Sequence, residues 1–147
     1  KAWLFSGHSG KGKSTHTGLW HDLLQTPYLN GDLNLLGMEG DKIIVYGIPW
    51  CGTSELYTTA DYELGGIVLL DRDPEKDFLQ DLTPSEKIVR VMQRMISPSW
   101  KERFFSMNLE FAEEIADRVP VLHLFCTRNP SAVYTVQKEI DRLEEAR

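Results

Sequence analysis

A chain of 147 residues, 41% hydrophobic and 26% charged, has the length and composition of one globular domain able to bury its own core. Its formal net charge of −6, with no Lys/Arg block, argues against a nucleic-acid partner. No apolar run approaches the ~20 residues that cross a bilayer, so no membrane partner is expected.

Cys51 and Cys126 lie far apart and outside any C-x-x-C pattern, and read as the reduced thiols of a cytoplasmic protein. No signal-peptide pattern precedes them. The chain opens on Lys1 and enters a strand almost at once, so further residues are expected upstream of the domain that spans 1–147.

Trp3-Leu4-Phe5 is a short apolar run, predicted as the first strand. Gly7-His8-Ser9-Gly10-Lys11-Gly12-Lys13-Ser14 follows and fits G-x-x-x-x-G-K-[ST] without a gap. A helix is predicted from Ser14 to Leu24, with Leu19, Trp20, Leu23 and Leu24 at helical spacing. Strand, glycine-rich loop and helix in this order are the setting that a phosphate-binding loop requires; a Gly-rich turn with a chance lysine is the alternative. The glycines let successive N–H groups turn inward onto phosphate oxygens, and the helix N-terminus adds its partial positive charge. The nucleotide site is therefore expected at Gly7, His8, Ser9, Gly10, Lys11, Gly12, Lys13, Ser14 and Thr15. Lys13 would reach the β- and γ-phosphates of ATP, and the Ser14 hydroxyl would ligate Mg²⁺.

Beyond Pro27, Tyr28-Leu29-Asn30-Gly31-Asp32 is an apolar approach to a polar tip, and Leu33–Leu36 could continue as a strand. Gly37–Lys42 has the glycines and charges of a hairpin turn, and Ile43–Tyr46 reads as a strand. Gly47–Ala60 looks irregular, and loops of such length are often functional. Ile67–Asp71 is a continuous apolar run of the buried-strand type, and Arg72–Leu82 a charged connection. Thr83-Pro84-Ser85-Glu86 is a capping-box start to a helix with Ile88, Val89, Met92, Met95 and Ile96 on its apolar face. A second helix is predicted over about Trp100–Arg118, a strand over Pro120–Cys126 and a last helix after Asn129-Pro130. The expected fold is a single α/β domain with a mixed sheet flanked by helices.

A phosphate-loop enzyme needs an acid near Mg²⁺ and often a base for the attacking group. Asp71 ends four apolar residues; Asp32 ends a shorter approach; spacing alone favours neither. Arg72 could stabilise charge on the transferring phosphoryl group, and Arg128 could touch nucleotide, but arginines at strand ends are also commonly solvated. The four histidines have no zinc-site spacing. Trp50 and Tyr57 could line an acceptor pocket or cap the core. Methionines and phenylalanines over 92–111 read first as core, and second as a groove for a partner helix.

Phe5–Trp20, Asn30-Gly31-Asp32, Tyr46–Gly52 and Leu82–Glu86 together resemble the C-terminal catalytic domain of HPr kinase/phosphorylase, over most of the chain. That domain is a branch of phosphate-loop proteins similar in fold to phosphoenolpyruvate carboxykinase. The resemblance implies an HPr-kinase-like fold and ATP- and Mg²⁺-dependent transfer to a hydroxyl of a peptide, protein or small molecule. It also implies that Asp32, rather than Asp71, is the base or metal ligand. The family's pair of adjacent aspartates aligns with Gly31-Asp32, so one carboxylate is left. The family's Glu-Ile-Arg-Gly signature has no counterpart in Ile48–Gly52, which argues against phosphorolysis and against HPr as acceptor.

The expected catalytic set is thus Lys13, Asp32 and Arg72, with Ser14 and Asp32 on the metal. The competing expectations are a catalytically impaired nucleotide-binding or sensing domain, and a carboxykinase-like or nucleotide-hydrolysing enzyme. A homo-oligomer is possible by the same resemblance.

Overall fold

A computed structural model describes residues 1–146, leaving only the last residue of the expected domain outside the described residues. In chain order the elements are β1 (Ala2–Ser6), α1 (Lys13–Leu24), β2 (Leu35–Glu39), β3 (Lys42–Tyr46), β4 (Tyr62–Arg72), β5 (Phe78–Gln80), α2 (Pro84–Met92), α3 (Glu102–Arg118), β6 (Val121–Cys126) and α4 (Ser131–Glu145). The architecture is α/β, with helices on an open mixed sheet of six strands.

β4 is the spine. It pairs in parallel with β1, placing Phe5 opposite Val68, and with β6, placing Leu69 opposite His123. Seven consecutive residues, Leu64–Leu70, are buried. A strand covered on both faces has no polar side to show, which is why its sequence is a continuous apolar run rather than an alternation. The antiparallel hairpin of β2 and β3 joins the other end of β4 through Ile44 opposite Glu63. β5 closes the far edge, antiparallel to β6.

Two apolar clusters lie on the sheet. In one, Leu4, Ile67, Leu69 and Val121 pack against Val91 of α2 and Ala112 and Ile115 of α3. In the other, Phe5, Val68, Leu70 and Leu124 pack against Trp20 of α1 and Ala132 and Val136 of α4. Each fully buried Val, Leu or Ile among them contributes ~1.5–3 kcal/mol. Alternate residues of β1 serve opposite clusters, so the strand that leads into the glycine loop is fixed from both faces.

The predicted helix start at Thr83 is present as a complete capping box: Thr83 accepts from the Glu86 N–H, and the Glu86 carboxylate accepts from the Thr83 N–H at 2.8 Å. Several expectations shift. The helix after Thr83 ends at Met92, so Met95 and Ile96 lie beyond it, and Val89 and Ile96, expected on its apolar face, are exposed. The strand expected from Leu33 begins at Leu35, because Asp32 and Leu33 give their N–H groups to the Asn30 side chain instead of to a ladder. The hairpin turn narrows to Gly40-Asp41, with Gly40 at φ 63°. The charged connection contains β5, a three-residue strand that exists because β6 offers it an edge.

Candidate functional site

The glycine loop runs from the end of β1 to the start of α1. Gly7 passes so close to β4 that an added Cβ would lie 2.9 Å from the Leu70 carbonyl oxygen. Gly10 and Gly12 adopt φ of 81° and 85°, a region that side chains disfavour, and Gly12 caps α1. The helix start has neither a side-chain cap nor an acidic residue in its first turn. Its partial positive charge is therefore not neutralised from within the helix. The Lys13 ammonium folds back over the loop, donating to the Gly7 carbonyl oxygen at 2.9 Å and to that of His8 at 3.2 Å. His8 and Ser9 are exposed, and Arg94, beyond α2, lies against the His8 ring at 3.2 Å.

Lys13, Ser14 and Asp32 line one cavity of about 430 Å³, which continues along β1. The structure thus brings together three of the residues expected from sequence, although Asp32 is eighteen or more positions from the loop. Asp32 is exposed and held by its backbone: its N–H donates to Asn30 Oδ1 at 2.8 Å. Asn30 in turn donates from Nδ2 to the carbonyls of Ile48 and Trp50, and Gly31 donates to the Leu56 carbonyl. The long segment after β3 therefore clamps the Asp32 turn in place. Gly52, at φ 60°, lets the chain come against the Asp32 carboxylate, where an added Cβ would sit 3.0 Å from Oδ2.

Asp71 stands elsewhere, with its carboxylate already engaged. Lys11 Nζ lies 2.5 Å from Oδ1, and His123 Nε2 is 3.5 Å from Oδ2. Partial burial alone would raise its pKa, but the Lys11 ammonium and the Arg72 N–H hold it below the usual carboxylate value. It does not line the cavity that holds Asp32.

Arg72 lies under the loop. Its guanidinium occupies the space that a Cβ on Gly12 would need, and Nη1 donates to the Thr127 carbonyl at 3.0 Å. Nε and Nη2 are buried without a partner among the described residues. Beside it, His16 is buried, packs on Phe5 at 5.0 Å and accepts from Trp20 Nε1 at 3.0 Å. Burial and the nearby Arg72 charge lower the His16 pKa to about 4, against a smaller opposing pull from Asp77. Asp77 accepts from the Thr127 N–H at 2.7 Å and from the Ser131 hydroxyl, tying the start of α4 to the strand side of the loop.

Trp50 and Tyr57 are exposed and do not line this cavity, and Arg128 is exposed just beyond β6. Arg94 and His123 border the site without any local sequence signal, because their contacts with His8 and Asp71 cross far more than 20 positions, and Asn30, quoted above only within the Asn30-Gly31-Asp32 motif, also reaches the Trp50 carbonyl. Among the described residues no cluster of three His, Cys, Asp or Glu side chains could hold a metal by itself, and no helix is long and apolar enough to cross a membrane. Compared with protein-family models, curated proteins and solved structures, the chain matches none of them.

Proposed function

We propose that this chain transfers a phosphoryl group from ATP to a hydroxyl of a peptide, protein or small molecule, in the manner of the HPr-kinase-like enzymes its sequence resembles. The observation that carries the reading is the shared cavity: a lysine from a glycine loop, a serine from the first helical turn and a held, exposed carboxylate face one space.

The residues fit a polyphosphate. Gly10 and Gly12 shape the loop for inward N–H groups, and α1 leaves its N-terminus free of acid. The Lys13 ammonium, which rests on two carbonyl oxygens of its own loop, can exchange them for phosphate oxygens. The Ser14 hydroxyl and the Asp32 carboxylate suit Mg²⁺, which takes one or two protein oxygens and completes its shell with phosphate and water. Bound there, the ion would neutralise charge on the transferring group.

In the transfer, Asp32 accepts the acceptor's hydroxyl proton or orients that hydroxyl as a metal ligand. The acceptor oxygen bonds to the γ-phosphorus as the bond to the ADP oxygen breaks. Arg72 acts from beneath Gly12, stiffening the loop and adding positive field. Incubating the chain with radiolabelled ATP, Mg²⁺ and a panel of hydroxyl acceptors tests the reading. Label on acceptor, lost in Asp32→Asn, supports it; nucleotide binding with no transfer to any acceptor counts against it.

That second outcome belongs to the alternative of a nucleotide-sensing domain. One observation favours it: Gly31, where the family that the sequence resembles carries a further aspartate, packs against Ser54, whose side chain a residue with a Cβ would have to displace.

A further inference from the structure

β1 has one unpaired edge, and the cavity lies along it. Ile67 and Asp73 donate their N–H groups to the carbonyls of Pro120 and Cys126, so the odd-numbered residues of β4 present their backbone to β6. The even-numbered residues therefore face β1. With Leu4 opposite Ile67 and Phe5 opposite Val68, a parallel ladder uses the backbone groups of Leu4 and Ser6. The N–H and C=O groups of Trp3 and Phe5 are left pointing away from β4. Among the described residues no strand pairs with them.

All five residues from Lys1 to Phe5 line the cavity. Successive strand side chains point to opposite faces, so a hollow that touches all five lies at the edge rather than over one face. Its two sides are apolar: Leu29 packs with the cluster below Leu4, and Trp20 and Ile140 with the cluster around Trp3 and Phe5. One end opens onto Lys13, Ser14 and Asp32. At about 430 Å³ it is of ligand-pocket size.

We propose that this edge docks the acceptor: an extended peptide segment with apolar side chains, which adds as a strand to β1 and carries a serine or threonine hydroxyl to the Lys13–Ser14–Asp32 end. A main chain supplies what the wall lacks, alternating donors and acceptors at strand spacing, while its side chains fall alternately on the two apolar sides. Unpaired edge groups bordered by apolar side chains are costly to leave unmet, which favours such a guest over one without amides. The chemistry at the far end rests on the phosphoryl-transfer reading; the docking does not.

The test uses the ¹⁵N-labelled chain without nucleotide and a set of peptides acetyl-Thr-Val-Z-Ser-Z-Val-Thr-amide, with Z as Leu, Ile or Phe. Amide hydrogen exchange is read by NMR. Peptide should slow exchange at the backbone amides of Trp3 and Phe5 by about tenfold or more, with Leu4 and Ser6 protected throughout. N-methylation of alternate peptide amides should abolish this effect in one of the two registers and spare it in the other. No added protection at millimolar peptide, or equal effects of both methylated registers, overturns the proposal. So does protection of Trp3 and Phe5 that tracks dimer formation by light scattering without peptide, which would assign the edge to a second copy. A parallel assay with radiolabelled ATP separates the two readings. Edge protection without serine labelling retains the docking and removes the kinase reading. Labelling without edge protection does the reverse.

Discussion

The Lys11 ammonium lies 2.5 Å from Asp71 Oδ1, on the side of the glycine loop that holds Arg72, while Asp32 lines the cavity that Lys13 also lines. A carboxylate already paired to a lysine and approached by His123 is poorly placed to take a proton from an incoming hydroxyl. Asp32→Asn should lower transfer by ~10²–10⁴-fold, the range of a general base, with little change in melting temperature. Asp71→Asn should lower it far less. Because both partners of the Lys11–Asp71 pair are about one-third exposed, its loss should cost under about 1 kcal/mol of stability. Single-turnover rates and denaturant unfolding of the two variants check this, and abolished transfer in Asp71→Asn alone would reverse the assignment.

Lys13 satisfies two carbonyl oxygens of its own loop, so nucleotide binding of the kind proposed would replace these hydrogen bonds instead of creating a set from nothing. Lys13→Ala should weaken Mg·ATP binding by about tenfold or more, equivalent to ~1.4 kcal/mol. Calorimetric titration reads the loss, and an unchanged dissociation constant would place the nucleotide elsewhere.

At Gly31, where the family that the sequence resembles has a second aspartate, a side chain would meet Ser54. An added Cβ would fall 2.1 Å from Ser54 Oγ and 2.7 Å from Ser54 Cβ. Gly31→Asp should destabilise the chain by about 1–3 kcal/mol, as overpacking does. Adding Ser54→Gly should return much of that loss. Urea midpoints of the single and double variants decide the matter; a stable Gly31→Asp single variant would show that the segment around Ser54 yields.

His16 makes stability depend on acid. Its folded pKa of about 4 lies below the ordinary 6.5, because protonation would place a charge in the core beside Arg72. The unfolded chain therefore binds the proton first. The contribution of neutral His16 is complete above pH 6.5 and is lost progressively as pH falls towards 4. The fall from 6.5 to about 4 corresponds to a loss of about 3 kcal/mol. Urea unfolding of the wild type and His16→Gln between these pH values should show the slope in the first and its reduction in the second. Identical slopes would mean that other groups govern the acid limb.

What the amino-acid order determined by itself is local. Trp3–Phe5, the glycine loop and α1 follow from an apolar run, φ-permissive glycines and helical spacing, all within some two dozen positions. The capping box at Thr83 is likewise complete within four residues. The buried run Ile67–Leu70 announced a strand covered on both faces, and β4 is that strand. Tertiary structure decided the rest, because it depends on partners far along the chain. The three residues of β5 have too little pattern to declare a strand and become one only against β6. Asp32 and Asp71 look alike as strand-end acids; packing engaged one with Lys11 and His123 and left the other exposed through Asn30 and the segment near Gly52. The glycine loop was legible in residues 7–14, but which carboxylate shares a cavity with Lys13 and Ser14 was set by a side-chain amide reaching from Asn30 to the Trp50 carbonyl.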